Sequence, residues 1–490
     1  SSHFGSSSHR LRSKAHLCCL PLPLLADMGC ANSTPAPAAA QPAKATPEGH
    51  IVASKAAKEG GKTVLVIASS PMGPHSATNN VAKAFCDAYA DAFPDDGIRV
   101  LDLCGAGAPP PFSAVRAQSK FKTFEGADAA DAVEEWQATK KIIEDFKSAD
   151  KYVILAPMWN LHIPYVLKQY LDHLVQPHLT FSIPDMKGCV TGKPALIIRA
   201  AGGVPVGCPM DCGTAYLKAV LGFIGFTDVR LLGITGTANK DGLAALLAER
   251  SADAKALATK FSFDEAAAPA APEAPEVPQA AAAEVKAGAK VLHVTSSCMG
   301  EMSATGRASA GLLAALKEKD SSVEVTDLNL FECGLKPFEA LRVQGKFATW
   351  GGGKDFEIQD AAAKKEWDYT KALIEQFKAA DVYVFDVPMW NLFAPYTFKQ
   401  YLDHIVQPHQ TFNPATNSGL LEGKRAFVVA ASGNGLLGSP VDHITPYMKN
   451  ILGFMGVTDV SYTFVNGTAG PDSDAAVNGA IESLKSLACL

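Results

Sequence analysis

The chain carries one pattern twice, and repetition at domain scale restricts it to two copies of a single fold. Residues 157 to 181, PMWNLHIPYVLKQYLDHLVQPHLTF, return at 388 to 412 as PMWNLFAPYTFKQYLDHIVQPHQTF, with 19 identities in 25 positions and no gap. The same shift of 231 sets Trp136 on Trp367, Asp150 on Asp381, Lys193 on Lys424, and LGFIGFTDV (221 to 229) on LGFMGVTDV (452 to 460). Near the start of each copy the shift is 227, pairing VLVIASSPMGPHSAT (64 to 78) with VLHVTSSCMGEMSAT (291 to 305). At 490 residues the chain also exceeds what one hydrophobic core usually supports.

Within each copy, short β-branched apolar runs alternate with amphipathic stretches. In the first copy strands are expected at 63 to 69, 98 to 103, 151 to 156, 194 to 200 and 229 to 234. Helices are expected at about 76 to 92, 129 to 148, 163 to 175, 212 to 224 and 240 to 260. Strands as uniformly apolar as YVILA and ALIIRA belong to a parallel sheet covered on both faces. The expectation is an α/β chain of two doubly wound domains with five-stranded parallel sheets, each binding its ligand at the carboxyl ends of its strands. They would span 61–262 and 289–490. Residues 1–60, rich in Ser, Ala and Pro without periodicity, read as a mobile tail, and the Ala/Pro-rich stretch 263–288 reads as a linker. Such a linker spans roughly 30 Å, enough to let the two domains pack together.

Several function classes are disfavoured. The net charge of −6 and the lack of a basic domain argue against a nucleic-acid partner. No apolar run approaches the ~20 residues of a membrane-spanning helix. Eleven cysteines, mostly unmatched between the copies, argue against a disulfide framework and for a reducing, cytoplasmic setting. Cys208 and Cys212 lack the further ligands of a zinc site, so no metal is expected. His173 and His178, repeated as His404 and His409, stand five apart, which is not one helical face, and read as helix-end residues.

Chemistry is expected in three loops. The first strand of each copy runs into a hydroxyl-rich loop that opens a helix, Ser69 to Thr78 and Ser296 to Thr305. Free N–H groups at a helix start, with hydroxyl donors beside them, form an anion site suited to phosphate. The alternative is that Ser76 and Ser303 only cap the helix. Neither GxxxxGK[ST] nor GxGxxG occurs in these loops. After the third strand, PMWNL offers an apolar wall and an amide to a planar heterocycle, or a tryptophan that only packs in the core. The fourth strand ends in AAGG (200 to 203) and ASGN (431 to 434). There the pairing of Gly203 with Asn434, the residue types that best tolerate positive φ, suggests a backbone close to a ligand or a tight left-handed turn.

These loops, together with TPYMKNILGFMGVTDV at 445 to 460, resemble the FMN-dependent NADH-azoreductase family of flavodoxin-like NAD(P)H:quinone reductases, over nearly all of both halves. The resemblance implies that Ser70, Ser76, Ala77 and Thr78, with Ser297, Ser303, Ala304 and Thr305, hold the FMN phosphate and ribityl chain. It sets Met158, Trp159, Asn160 and Leu161, with Met389, Trp390, Asn391 and Leu392, against the isoalloxazine. The family's Ser-Arg-Gly-Gly becomes Ala200, Ala201, Gly202, Gly203 and Ala431, Ser432, Gly433, Asn434. Backbone contacts from Gly202, Gly203, Ser432, Gly433 and Asn434 would remain, with unequal affinity at the two sites. The implied activity is hydride transfer from NADH or NADPH through FMN to a quinone or azo acceptor in a ping-pong cycle, with no catalytic acid or base in the protein. The two halves would form an intrachain pseudo-dimer with a flavin at each interface. The alternative is a flavin-binding electron carrier or a non-catalytic scaffold of the same fold, tethered to a membrane. Met28-Gly29-Cys30-Ala31-Asn32-Ser33 fits a myristoylation pattern if translation starts at Met28, with Gly29 and Cys30 as lipidation sites giving peripheral attachment. A targeting segment at 1–27 is the competing reading.

Overall fold

The computed structural model describes residues 54–261, 285–352 and 357–488. Gly29, Cys30, most of the expected tail and nearly all of the expected linker lie outside them. In the first half the elements are β1 (Thr63–Ala68), α1 (Ala77–Ala92), β2 (Gly97–Asp102), α2 (Ala114–Lys122), α3 (Glu134–Lys147), β3 (Lys151–Leu155), α4 (Tyr165–Leu174), β4 (Ala195–Ala201), α5 (Cys212–Ile224), β5 (Val229–Thr235) and α6 (Leu243–Ala258). The second half repeats them as β6 (Lys290–Thr295), α7 (Ala304–Lys319), β7 (Glu324–Asn329), α8 (Ala340–Gly352), α9 (Ala361–Ala379), β8 (Val382–Pro388) and α10 (Tyr396–Ile405). A two-stranded antiparallel pair, β9 (Phe412–Asn413) and β10 (Ser418–Gly419), comes next. Then follow β11 (Arg425–Ser432), α11 (Ile444–Met455), β12 (Asp459–Asn466) and α12 (Ser473–Ala488).

The sheets run β2-β1-β3-β4-β5 and β7-β6-β8-β11-β12, and every neighbouring pair in them is parallel. Strands such as β4 (ALIIRAA) are buried along their whole length, because helices cover both faces and no alternation of polar residues is needed. In each sheet the chain leaves the first strand toward one edge and then builds toward the other. A crevice therefore opens beyond the carboxyl ends of β1 and β3, and of β6 and β8. The first and third loops of each half end there.

One hydrophobic core is shared. It covers one face of each sheet and continues from half to half through α4 and α10, with Ile163, Tyr216, Phe393 and Tyr447 all buried in it. His162 stacks on Phe393 with ring centroids 3.9 Å apart. These residues occupy equivalent positions of the two copies, so the centre of the pairing is a like-on-like contact. The opposite sheet faces carry separate cores, one around Val66, Phe85, Tyr89 and Phe261 and one around Val291, Leu312, Phe427 and Leu484.

The expected strands and helices of the first copy are all present, but α2 and α8 were not anticipated. They are short helices whose buried faces carry charged residues that pair partly within their own half, Arg116 with Glu135 and Arg342 with Glu366, and partly with the other half through Lys120 and Lys346, so no apolar stripe announces them. Residues 54 to 60, expected in the tail, are laid along β2: Lys55 N donates to Ile98 O at 2.7 Å and Lys58 N to Asp95 O at 2.9 Å.

Candidate functional site

Each first loop is a buried hydroxyl cluster at a helix start. Ser69 Oγ donates to Leu155 O at 2.7 Å and Ser296 Oγ to Asp386 O at 2.6 Å, which ties the loop to the neighbouring strand β3 or β8. Gly73 and Gly300, both at positive φ, open a single 3-10 turn that leads into the helix. Ser76 and Ser303 then cap α1 and α7, accepting from Asn79 N at 3.5 Å and Gly306 N at 3.1 Å. Their hydroxyls also meet Thr78 and Thr305 at 2.9 and 3.0 Å. Capping and the proposed anion site are therefore compatible: the side chains close the cap, while the first-turn N–H groups of Ala77 and Thr78, and of Ala304 and Thr305, have no acceptor within the helix. A Cβ added at Gly73 or Gly300 would meet no atom within 4 Å, so the loop's open side faces free space.

The third loops are tight turns. Trp159 N and O pair with His162, and Trp390 N and O with Phe393. The two central residues of each turn have left-handed φ, 49° and 63° at Asn160 and Leu161, 51° and 66° at Asn391 and Leu392. Asparagine adopts this region readily, whereas leucine does so only where its surroundings enforce it. Met158 N and Met389 N anchor the turns to Ala200 O and Ala431 O at 2.7 Å.

What enforces them is the opposite half. Asn160 Nδ2 donates to Asp403 Oδ1 at 2.7 Å, and Lys346 Nζ donates to Asn160 Oδ1 at 3.0 Å. Reciprocally, Asn391 Nδ2 donates to Asp172 Oδ1 at 2.8 Å and Lys120 Nζ to Asn391 Oδ1 at 2.6 Å. Asp172 also pairs with Lys168 within α4, and Asp403 with Lys399 within α10. Each aspartate accepts in addition from the first N–H of the opposite helix, Tyr396 N or Tyr165 N. Burial lowers the Lys120 and Lys346 ammonium groups to about 7 against partial compensation from Asp172 and Asp403. The indoles follow the same rule: Trp159 packs edge-on against Phe338 and Phe347, and Trp390 against Phe112 and Phe121, all from the other half. The tryptophans are buried, as the packing alternative had it, but in the seam between halves. Lys120, Lys346, Asp172 and Asp403 were not picked out from the sequence. Their signals are the repeated KQYLDH and a second repeat, AVRAQSKFKTF (114 to 124) against ALRVQGKFATW (340 to 350).

The fourth loops differ as expected from each other. Gly203 and Asn434 do not have positive φ, so the expected alternative of a left-handed turn at these positions is not met; the left-handed residues nearby are Gly207, Gly435 and Gly438. The turn is completed a few residues later, so neither Gly202 nor Gly203 carries backbone strain. A Cβ at Gly203 would meet nothing within 4 Å. In the first half alone, β4 carries a buried Arg199 whose Nε donates to Asp211 Oδ1 at 2.7 Å and whose Nη1 donates to Ala156 O at 3.2 Å, just before the third loop. A side chain at Gly213 would collide with that guanidinium. Ser432 Oγ in the second half accepts from Leu436 N at 3.1 Å. His173 and His404 stand in the last turn of α4 and α10, at the helix ends as expected, and each donates from Nε2 to a carbonyl, Pro110 or Lys336, at 2.8 Å. His178 and His409 are left-handed turn residues.

Two cavities flank these loops in the seam. One, of about 220 Å³, lies between Pro71 and Trp159 of the first half and Pro337, Phe338 and Tyr396 of the second. The other, of about 420 Å³, has Ser297, Met299 and Gly300 of the first loop and Thr397 on its wall, closed by Pro111 and Gln118 from the first half. Thr397 Oγ1 is buried there without a hydrogen-bond partner. An anion site, an aromatic wall and an unpaired hydroxyl around a cleft suit a phosphate-bearing planar ligand such as FMN.

Comparison with known proteins agrees. The flavodoxin-like fold family matches residues 62–258 and again 289–488. An FMN-dependent NADH:quinone oxidoreductase of Nitratidesulfovibrio vulgaris (strain DP4) is 42% identical over 208 residues, which is 41% of this chain and 99% of that protein. An FMN-dependent NADH:quinone oxidoreductase 2 of Bacillus cereus is 33% identical over 208 residues, 40% of this chain and 99% of the relative. The crystal structure of an azoreductase from Bacillus anthracis str. Sterne matches at 25% identity and a TM-score of 0.37, over 41% of this chain and 100% of that one.

Proposed function

The chain belongs to the flavodoxin-like fold family, with one member domain in each half, and from that premise we propose that it is an FMN-dependent oxidoreductase acting on quinones or azo compounds with NADH or NADPH as donor. When bound, FMN supplies the chemistry, taking a hydride from the nicotinamide and returning two electrons to the acceptor in a ping-pong cycle. Everything else falls to the chain. The helix starts at Ala77 and Ala304, with Ser70, Ser76, Thr78 and their counterparts Ser297, Ser303 and Thr305, hold the phosphate. The third loops present Met158 to Leu161 and Met389 to Leu392 to the ring, and the seam keeps water from it.

The reciprocal grip on the third loops carries this reading. A buried lysine and a buried aspartate from one half fix the asparagine of the other, which is expensive machinery for a loop with no ligand to position. The changed fourth loops favour a second reading, a flavin-binding electron carrier without turnover. Adding NADH anaerobically to the FMN-loaded protein and then a benzoquinone separates the two. Rapid loss of the yellow flavin colour, restored by the quinone over many cycles, supports the enzyme; colour unchanged by either nicotinamide supports the carrier.

A further inference from the structure

The two halves part company beneath the first loop of the second. There β6 carries His293, β7 Asp327, β8 Asp386 and α7 Ser309, where the first half has Val66, Val100, Leu155 and Ala82. His293 Nε2 lies 3.1 Å from Asp386 Oδ2 and its Nδ1 lies 2.8 Å from Asp327 Oδ1. Ser309 Oγ lies 3.0 Å from Asp386 Oδ2 and 3.2 Å from His293 Nε2. Asp386 is fully buried and its Oδ1 has no hydrogen-bond partner. A Cβ placed on Gly306, in the first turn of α7, would lie 3.7 Å from Asp386 Oδ2. The carboxylate therefore sits directly under the helix start that the proposed function assigns to the FMN phosphate.

A negative charge in that position opposes the anion that the helix start attracts. The opposition is relieved only while His293 carries a proton, because one imidazolium then stands against the two carboxylates. Lys317, further along α7, acts on Asp327 from outside. The two aspartates hold His293 protonated up to about 9, against the opposing effect of its burial.

Resting on the reading that the second half binds FMN through this loop, we propose that His293 and Asp386 are positioning residues that make phosphate binding at the second site depend on a proton, while the first site, built on Val66 and Leu155, binds independently of it. Below the His293 pKa the anion meets a compensated network; above it, the phosphate faces an unrelieved carboxylate and binding weakens. By linkage, a bound phosphate raises the His293 pKa further. The ligand's own phosphate completes its titration near pH 6, below this window, and both halves see the same flavin, so a difference between the sites reports on the protein.

Titrating the full chain with FMN from about pH 7 to about pH 10, by flavin fluorescence, should resolve two binding steps, one constant and one weakening at least fivefold as the pH passes the His293 transition. Asp386→Asn, which keeps the shape and removes the charge, should flatten the second step, as should the first-half residues introduced together as His293→Val and Asp386→Leu. Independently, histidine NMR of the unsubstituted protein should show one high-pKa imidazole that moves upward when FMN is added. Two pH-independent steps, or a pH-dependent step unmoved by Asp386→Asn, overturn the inference alone. A single FMN per chain at every pH overturns the assignment of the second site itself, and the inference with it.

Discussion

Asn160 and Asn391 each accept a hydrogen bond from a lysine and donate one to an aspartate of the opposite half. A substitution in one half is thus felt at the loop of the other. Lys120→Met should weaken FMN at the second-half site by about fivefold, the worth of roughly one hydrogen bond, and leave the first-half site unchanged; Lys346→Met should do the reverse. Each substitution also removes the donor to a buried carbonyl, Val175 O or Val406 O, and should cost about 1–3 kcal/mol of stability, so a two-step FMN titration with a parallel unfolding curve checks the assignment. The asparagines themselves were legible from the repeated PMWNL. Their lysines were not, because Lys120 and Lys346 meet the asparagines only across the seam, and a solvated lysine and a buried one are written with the same letter. Gly203 and Asn434 illustrate the converse: residues that tolerate positive φ need not adopt it.

At the scale of the element, α4 and α10 explain why KQYLDH is the best-kept segment of the repeat. Lys168 and Asp172 stand one helical turn apart, both fully buried, and the aspartate also receives Asn391 and the first N–H of α10. Asp172→Ala leaves the Lys168 ammonium without its carboxylate and should cost about 3–5 kcal/mol of unfolding free energy, measurable by denaturant. Asp172→Asn, which keeps the acceptor, should cost less. The parallel strands and their covering helices were readable from continuous apolar runs and from the 3.6-residue period, since both signals arise within one copy. The helices α2 and α8 escaped the same reading because their buried faces, Arg116, Lys120 and Arg342, Lys346 among them, are charged: the arginines pair with Glu135 of α3 and Glu366 of α9, and the lysines reach across the seam.

At the scale of the whole molecule, a core continuous from one sheet to the other makes the two halves one cooperative unit. Four histidines are buried within or beside it in neutral form: desolvation holds His173 and His443 at about 4 and His404 at about 3, and pushes His162 well below its usual range. The unfolded chain takes up those protons as the pH falls through 6.5, the folded chain only near 4 or lower. Stability is therefore full above pH 6.5 and falls as the pH drops toward 4, by up to ~1.4 kcal/mol per pH unit for each histidine, and calorimetry across that range should show a single transition moving steadily to lower temperature. Pairing within one chain was legible from the tandem copies and the length of the stretch between them; the exchange of lysines and aspartates was not, since nothing in one copy marks a residue that serves the other. The most direct test compares FMN dissociation constants for the intact chain and for residues 54–261 and 285–488 expressed separately, alone and mixed. Weak binding by each half alone, recovered on mixing and strongest in the intact chain, is expected; isolated halves that bind FMN as tightly as the intact chain would contradict flavin sites completed across the seam.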